Sequence, residues 1–226
     1  MALRFFIDFD GTITQHDVVD RILERFAESQ WQDIEQEWAM GKIGSRECLV
    51  RQMELVSAGK KELGALVDQV QVDPFFVSFV KHADALSIPV AIVSDGFDFV
   101  IERVLKRVFA DCPEFLESVP VFSNRLSWIS PTSLRVDFPS PDSCAHGCAN
   151  CKVKVIKNLS QEDEDIIFIG DGLSDRFAAQ SVFLTFAKGK LLKYCSDHRI
   201  NYRRWWNFND IDQWMSNVRK ETYVTV

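Results

Sequence analysis

Apolar residues fall along the 226-residue chain in two kinds of pattern. One kind is the short, mainly apolar run: Leu3-Arg4-Phe5-Phe6-Ile7, Ile88-Pro89-Val90-Ala91-Ile92-Val93, residues 165–169, and Val182-Phe183-Leu184-Thr185-Phe186. Runs of this length read as buried strands. The other kind repeats at helical spacing. Val18, Val19, Ile22, Leu23 and Phe26 share one face, with Asp17 placed to cap the helix. Ile34 and Trp38 continue the pattern, and Ser45 is placed to cap a helix carrying Leu49, Met53 and Val56. Leu63, Leu66, Val67 and Val70 make the next stripe, and Asp73-Pro74 opens a Phe-rich helix in an N-cap/N1 arrangement. No strand signal interrupts residues 17–86, so this stretch predicts a helical insert plus one core helix.

After the second strand the pattern predicts a helix over 97–109 and a hairpin or flap over 119–138, where short β-like runs flank turn residues. A Pro- and Cys-rich loop over 139–151, a helix over 152–159, and a helix near 174–180 follow. The tail, with Trp205, Trp206 and Trp214 read as packing residues, ends in a helix. Strands alternating with helices predict an α/β fold with a parallel sheet flanked by helices.

Three of the apolar strands end alike: Asp8-Phe9-Asp10-Gly11-Thr12, Ser94-Asp95-Gly96, and Gly170-Asp171-Gly172-Leu173-Ser174-Asp175. Parallel sheets bind ligands beyond the carboxyl ends of their strands. Asp8 and Asp10, two residues apart on a strand, share a face. Two carboxylates converging without a countercharge are costly, so one stays protonated or a cation binds. Asp171 and Asp175 add oxygen donors from another strand end, a set that suits Mg²⁺.

These motifs resemble those of the haloacid dehalogenase superfamily. Asp8-Phe9-Asp10-Gly11-Thr12-Ile13-Thr14 is similar to its first motif, Ser94 stands in its second, and Gly170 to Asp175 is similar to its fourth. The helical insert between the first two motifs resembles the C1-capped subfamily IB, the group of phosphoserine phosphatase-like, methylthiopentenyl-phosphate and phosphoethanolamine/phosphocholine phosphatases. The resemblance implies a Rossmann-like core of residues 1–14 and 88–226, with a β-hairpin flap at about 119–138. Residues 15–87 would be the helical cap plus its connecting core helix.

It also implies a Mg²⁺-dependent phosphomonoesterase. Asp8 is the expected nucleophile, forming an aspartyl phosphate, and Asp10 the general acid and base. Mg²⁺ is expected on Asp8, the Asp10 carbonyl and Asp171, with Asp175 nearby. Ser94 and backbone N–H groups of the turns, Gly96 among them, would bind phosphoryl oxygens. Lys152 and Lys154 compete for the lysine of the third motif, and Lys152 has the spacing seen in relatives. Thr12, Asp17, Arg51 and Asp95 are further candidates for substrate contact. Asp17 serves equally as a plain helix cap, and Arg51 reads first as an exposed helix arginine. Ser-Asp-Gly in place of Ser-Gly-Gly departs from phosphoserine phosphatase, and an acidic residue at Asp95 suits an ammonium group. The same site can serve a phosphotransferase.

Cys144, His146, Cys148 and Cys151 place three thiols and an imidazole within eight residues. That donor set can hold structural Zn²⁺, although the spacing is tighter than in zinc fingers. Reduced thiols packing a loop, or a disulfide or redox switch, are the alternatives. A zinc- or redox-binding protein with a vestigial core is the competing reading from another class.

Composition is that of an ordinary globular chain: 46% hydrophobic and 26% charged, with a net charge of -7. No broad basic face is available for nucleic acid or anionic membrane. No signal peptide or membrane span stands out, so a cytoplasmic protein with reduced thiols is expected. The expected partner is a small phosphorylated metabolite. An acidic chain can accept that anion only where a cation gathers the carboxylates. Stripping divalent metal with EDTA should therefore abolish turnover of a phosphate ester, and Mg²⁺ should restore it. Undiminished turnover by metal-free protein would contradict this.

Overall fold

The computed structural model of the protein describes residues 2–139, 144 and 146–224. Within them, strands β1 (Ala2–Ile7), β2 (Val90–Phe97), β3 (Val121–Trp128), β4 (Leu134–Asp137), β5 (Glu164–Gly170), β6 (Leu184–Ala187) and β7 (Tyr202–Arg204) form one sheet in the order β4-β3-β2-β1-β5-β6-β7. Neighbouring strands run parallel except β3 and β4, the hairpin expected over 119–138. The helices are α1 (Val18–Phe26), α2 (Trp31–Ala39), α3 (Ser45–Glu54), α4 (Lys60–Val67), α5 (Phe76–Ala85), α6 (Asp98–Val108), α7 (Glu114–Ser118), α8 (Lys152–Leu159), α9 (Arg176–Ala179), α10 (Gly189–Asp197) and α11 (Phe208–Val224).

Helices cover both faces of the sheet, which is why its central strands read as mainly apolar runs. Phe5, Ile7, Ile92, Ile167 and Ile169 face one core with α5, α6 and α11. Phe6, Ala91, Val93, Ile166 and Phe168 face the other, against Ile156 of α8, Ala178 and Ala179 of α9, and Leu191 of α10. On the first side, the rings of Phe5 and Phe208 each lie 5.2 Å from that of Phe79. This aromatic cluster ties α5 and α11 to β1. Helices α1–α4 form a separate layer, with α2 on α3, α1 on α4, and α4 reaching α6, while α7 packs on α5.

Local chemistry explains several boundaries. Asp17 caps α1, its carboxylate accepting from the Asp20 N–H at 3.0 Å. Gly11 adopts φ +69°, and a Cβ there would run into the Asp171 carboxylate.

Other expectations shift. Ser45 does not cap α3: Gly44 holds that place, and the Ser45 hydroxyl accepts from Trp38 Nε1 at 3.0 Å. Asp73 accepts from the N–H of Phe75, but a turn intervenes before α5 begins. The second strand does not stop at Val93. It continues to Phe97 across a register shift against β3, so Ser94-Asp95-Gly96 is strand rather than turn. The expected 174–180 helix divides into a 3-10 turn at Leu173–Asp175 and short α9. Trp205 is buried, whereas Trp206 is 68% exposed beneath the Arg204 guanidinium. Residues 140–143 and 145 of the expected 139–151 loop lie outside the described residues.

Removing the Phe79 ring leaves a cavity between β1, α5 and α11. Phe79→Ala should cost about 3–5 kcal/mol of unfolding free energy. Urea denaturation measures this, and a loss below about 1 kcal/mol would mean that the cluster does not anchor these elements.

Candidate functional site

β2, β1 and β5 are neighbours in the sheet, so their carboxyl ends deliver the three polar segments to one place. The Asp8 N–H donates to the Ile169 carbonyl at 2.9 Å, which holds the end of β1 against β5. Asp8 and Asp175 are both buried, and Lys152 bridges them. Its Nζ lies 2.6 Å from Asp8 Oδ1 and 2.5 Å from Asp175 Oδ1. Lys152 opens α8 and is buried, whereas Lys154 is exposed. The second oxygen of Asp175 accepts the N–H groups of Asp171 and Gly172, both at 3.1 Å. Asp175 therefore folds the end of β5 around itself and fixes Lys152 in the same act.

Asp10 points into the same site. Its Oδ1 accepts the Val18 N–H at the start of α1, at 3.0 Å, and the Ser94 hydroxyl lies 3.5 Å from Oδ2. The Gly96 N–H donates to Ser94 Oγ at 2.9 Å. Gly96 has no side chain for a reason: a Cβ there would strike the Asp10 carboxylate. Asp171 accepts the Thr12 hydroxyl at 2.9 Å.

Electrostatics match this crowding. Burial, and next the charge of Asp175, push the Asp8 carboxyl well above the ordinary range. Burial and then Asp17 do the same to Asp10. Asp171 rises to about 6, through burial and Asp175. Burial opposes the charge on Lys152, but Asp175 and Asp8 outweigh it and keep the ammonium protonated. One lysine against this many carboxylates leaves a deficit of positive charge. Ligand oxygens of Asp8, Asp171 and Asp175 lie within 4.8 Å of one another, a hard-oxygen set that fits a divalent cation such as Mg²⁺.

A cavity of about 410 Å³ opens from these carboxylates toward α1–α3. Asp8, Asp10, Asp17, Ser94, Asp95, Gly96 and Asp171 line its strand-end side. Asp20, Glu35, Trp38 and Leu49 stand on the helical side, and Lys190 is the only cation among the described lining residues. Two candidates sit elsewhere. Thr12 is buried behind the wall, holding Asp171. Arg51 turns away to Glu37 and Glu47, at 2.6 and 3.3 Å, and does not line the cavity. The structure thus does not bring Arg51 to the site, because two nearby carboxylates hold its guanidinium.

Sequence reasoning missed Asn150. Its side-chain amide donates to the Ser94 and Phe122 carbonyls, at 3.1 and 2.8 Å, and its N–H to Asp95 at 3.2 Å. Burial first, only partly countered by Lys152, raises Asp95 to about 6. Asp20 was readable at three residues from Asp17 on one helix face. Glu35 had no such signal.

Of the cysteine cluster, the Cys144, Cys148 and Cys151 sulfurs lie within 4.8 Å of one another. Burial raises the Cys144 thiol, but hydrogen bonds from the Cys148 and His146 backbone outweigh it and bring it to about 6.

Residues 4–184 match the family model described as "Putative Phosphatase". The chain is 27% identical over 217 residues to the 2-hydroxy-3-keto-5-methylthiopentenyl-1-phosphate phosphatase of Bacillus pumilus, covering 94% of this chain and 90% of that protein. Two solved structures share its fold at 18% identity. A substrate-bound phosphoserine phosphatase complex gives a TM-score of 0.68, covering 95% of this chain and 98% of the other. A phospho-aspartyl intermediate analogue of phosphoserine phosphatase gives 0.65, covering 95% and 99%.

Lys152→Met would leave Asp8 and Asp175 buried without a countercharge. The expected loss is about 3–5 kcal/mol of stability at neutral pH in the absence of divalent metal. Urea unfolding reads it, and a change within about 1 kcal/mol would contradict the bridging role.

Proposed function

This chain belongs to that phosphatase family, within the haloacid dehalogenase superfamily, and from this membership we propose that it hydrolyses a small phosphate monoester through an aspartyl phosphate on Asp8. The observation that carries the proposal is the convergence of Asp8, Asp10, Lys152, Asp171 and Asp175 at three adjacent strand ends.

In the proposed reaction an Asp8 carboxylate oxygen attacks phosphorus. The bond from phosphorus to the ester oxygen breaks, and Asp10 gives that oxygen a proton. Burial and the neighbouring Asp17 favour the protonated Asp10 that this step needs. Water then attacks the phosphorus of the aspartyl phosphate, Asp10 takes its proton, and the bond to Asp8 breaks to release phosphate. Lys152 fixes the orientation of Asp8 throughout. Ser94, next to Asp10, is placed to donate to a phosphoryl oxygen. Asp8, the Asp10 carbonyl and Asp171 would hold Mg²⁺, with Asp175 beside them. When bound, the ion offsets the charge of the transferring phosphoryl group.

The helical layer over residues 15–87 acts as a cap in this reading, and its lining limits the substrate. Trp38, Leu49 and Leu173 offer apolar contact to a short tail. Asp17, Asp20 and Glu35 disfavour a second anionic group there, such as a carboxylate, and Arg51 is not available to bind one. A neutral tail like that of the methylthiopentenyl phosphate in the relative's name fits better than phosphoserine.

A panel of phosphomonoesters assayed with Mg²⁺ tests the proposal. Esters with neutral tails should exceed phosphoserine in kcat/KM by at least about tenfold, the effect of about 1.4 kcal/mol. Asp8→Asn should abolish release of phosphate from all of them. Turnover that survives Asp8→Asn would remove the nucleophile assignment, and phosphoserine as the best substrate would overturn the reading of the cap.

A further inference from the structure

The loop before α8 carries chemistry that phosphate hydrolysis leaves unused. Cys144, Cys148 and Cys151 send three sulfurs to one point, each within 4.8 Å of the others. A tetrahedral zinc–thiolate centre, with bonds of about 2.3 Å, needs sulfurs about 3.8 Å apart. The three thiols therefore stand within a small adjustment of that arrangement. They are one more than a disulfide uses.

Two further features surround the three sulfurs. The backbone N–H groups of His146 and Cys148 lie against the Cys144 sulfur. His146 stacks on the Phe177 ring, with centroids 3.9 Å apart and planes at 25°. The stacked imidazole brings Nδ1 to 4.0 Å from Cys144 Sγ, beyond the spacing of about 3.5 Å for N and S ligands on one tetrahedral zinc. The three sulfurs are only partly buried, so an ion can enter.

We propose that Cys144, Cys148 and Cys151 bind one Zn²⁺ ion, its fourth place open to solvent or to a turned His146 ring, that braces the start of α8 against α3. Soft thiolates select zinc over the Mg²⁺ that suits the carboxylates. Each thiol releases its proton to solvent as the ion binds, and no redox step is involved. What the ion would brace follows from the chain. Asn150 lies between Cys148 and Cys151, and Lys152 directly after them. Asn150 fastens this turn to Ser94 and Phe122, and Lys152 reaches Asp8 and Asp175. On the other side the Gly147 carbonyl accepts the Arg46 N–H of α3 at 3.1 Å. One ion would thus tie the lysine of the phosphate site to the helical layer above it. The binding claim does not depend on the phosphatase reading.

The test uses the full chain, reduced, stripped with chelator and titrated with Co²⁺. One equivalent should produce thiolate-to-cobalt charge-transfer absorption with tetrahedral d–d bands, and one equivalent of Zn²⁺ should bleach them. Only sulfur ligation gives the charge-transfer band, so metal on the carboxylates does not contribute to it. Cys144→Ser and Cys148→Ser should each weaken Zn²⁺ binding at least tenfold and reduce the band. His146→Ala should keep the band, while Cys195→Ser, at a buried cysteine elsewhere, should leave both the band and the d–d absorption unchanged. Absence of the band from the reduced wild-type chain would overturn the proposal, as would a band of wild-type strength in folded Cys148→Ser. The wild-type titration decides even where a variant fails to fold.

Discussion

The site depends on one ammonium group held between two buried carboxylates. Lys152 reaches from the first turn of α8 to Asp8 on β1 and to Asp175 after β5, so three separate stretches of chain meet at a single nitrogen. Burying any of these charges alone would be costly. Buried together they share the cost, and the second oxygen of Asp175 recovers more of it from two backbone N–H groups. The turn after β5, the direction of α8 and the orientation of Asp8 are thereby set by the same contacts. The balance is still short of positive charge, which is what makes a divalent cation chemically appropriate to this chain and reconciles a net charge of -7 with an anionic substrate.

Around that centre the fold supplies alignment more than reactivity. β2, β1 and β5 lie side by side, so Ser94, Asp8, Asp10 and Asp171 arrive at one edge of the sheet without long loops to place them. Backbone groups complete the arrangement: Val18 N–H orders Asp10, and Gly96 N–H orders Ser94. The helical layer contributes a lining of mixed carboxylate and apolar character, opposite in sense to a pocket built to grip a second anion.

Much of this could be read from the residues in order. The strand-end motifs stand behind mainly apolar runs because the sheet is covered on both faces, and the i, i+2 spacing of Asp8 and Asp10 survives folding. The hairpin and the helix over 152–159 were equally plain. α10 and β7 were not predicted. In α10 the apolar positions Leu191, Leu192 and Cys195 are interleaved with lysines, and β7 is a polar edge strand of three residues. Ser94-Asp95-Gly96 looked like a turn because local propensity cannot register a strand that continues through a shift in pairing. The positions of Arg51, Thr12 and Asn150 were settled by tertiary partners: Glu37 and Glu47, Asp171, and the Ser94 and Phe122 carbonyls. Side-chain direction of that kind leaves no periodic trace in a sequence.

The central claim is that Asp8 carries the phosphoryl group. Acid quenching during turnover, followed by borohydride reduction, converts an aspartyl phosphate to homoserine at the residue that formed it. Peptide mass analysis should find homoserine at position 8 and at no other carboxylate. Homoserine at another position, or none at any position while phosphate is being released, would contradict the account.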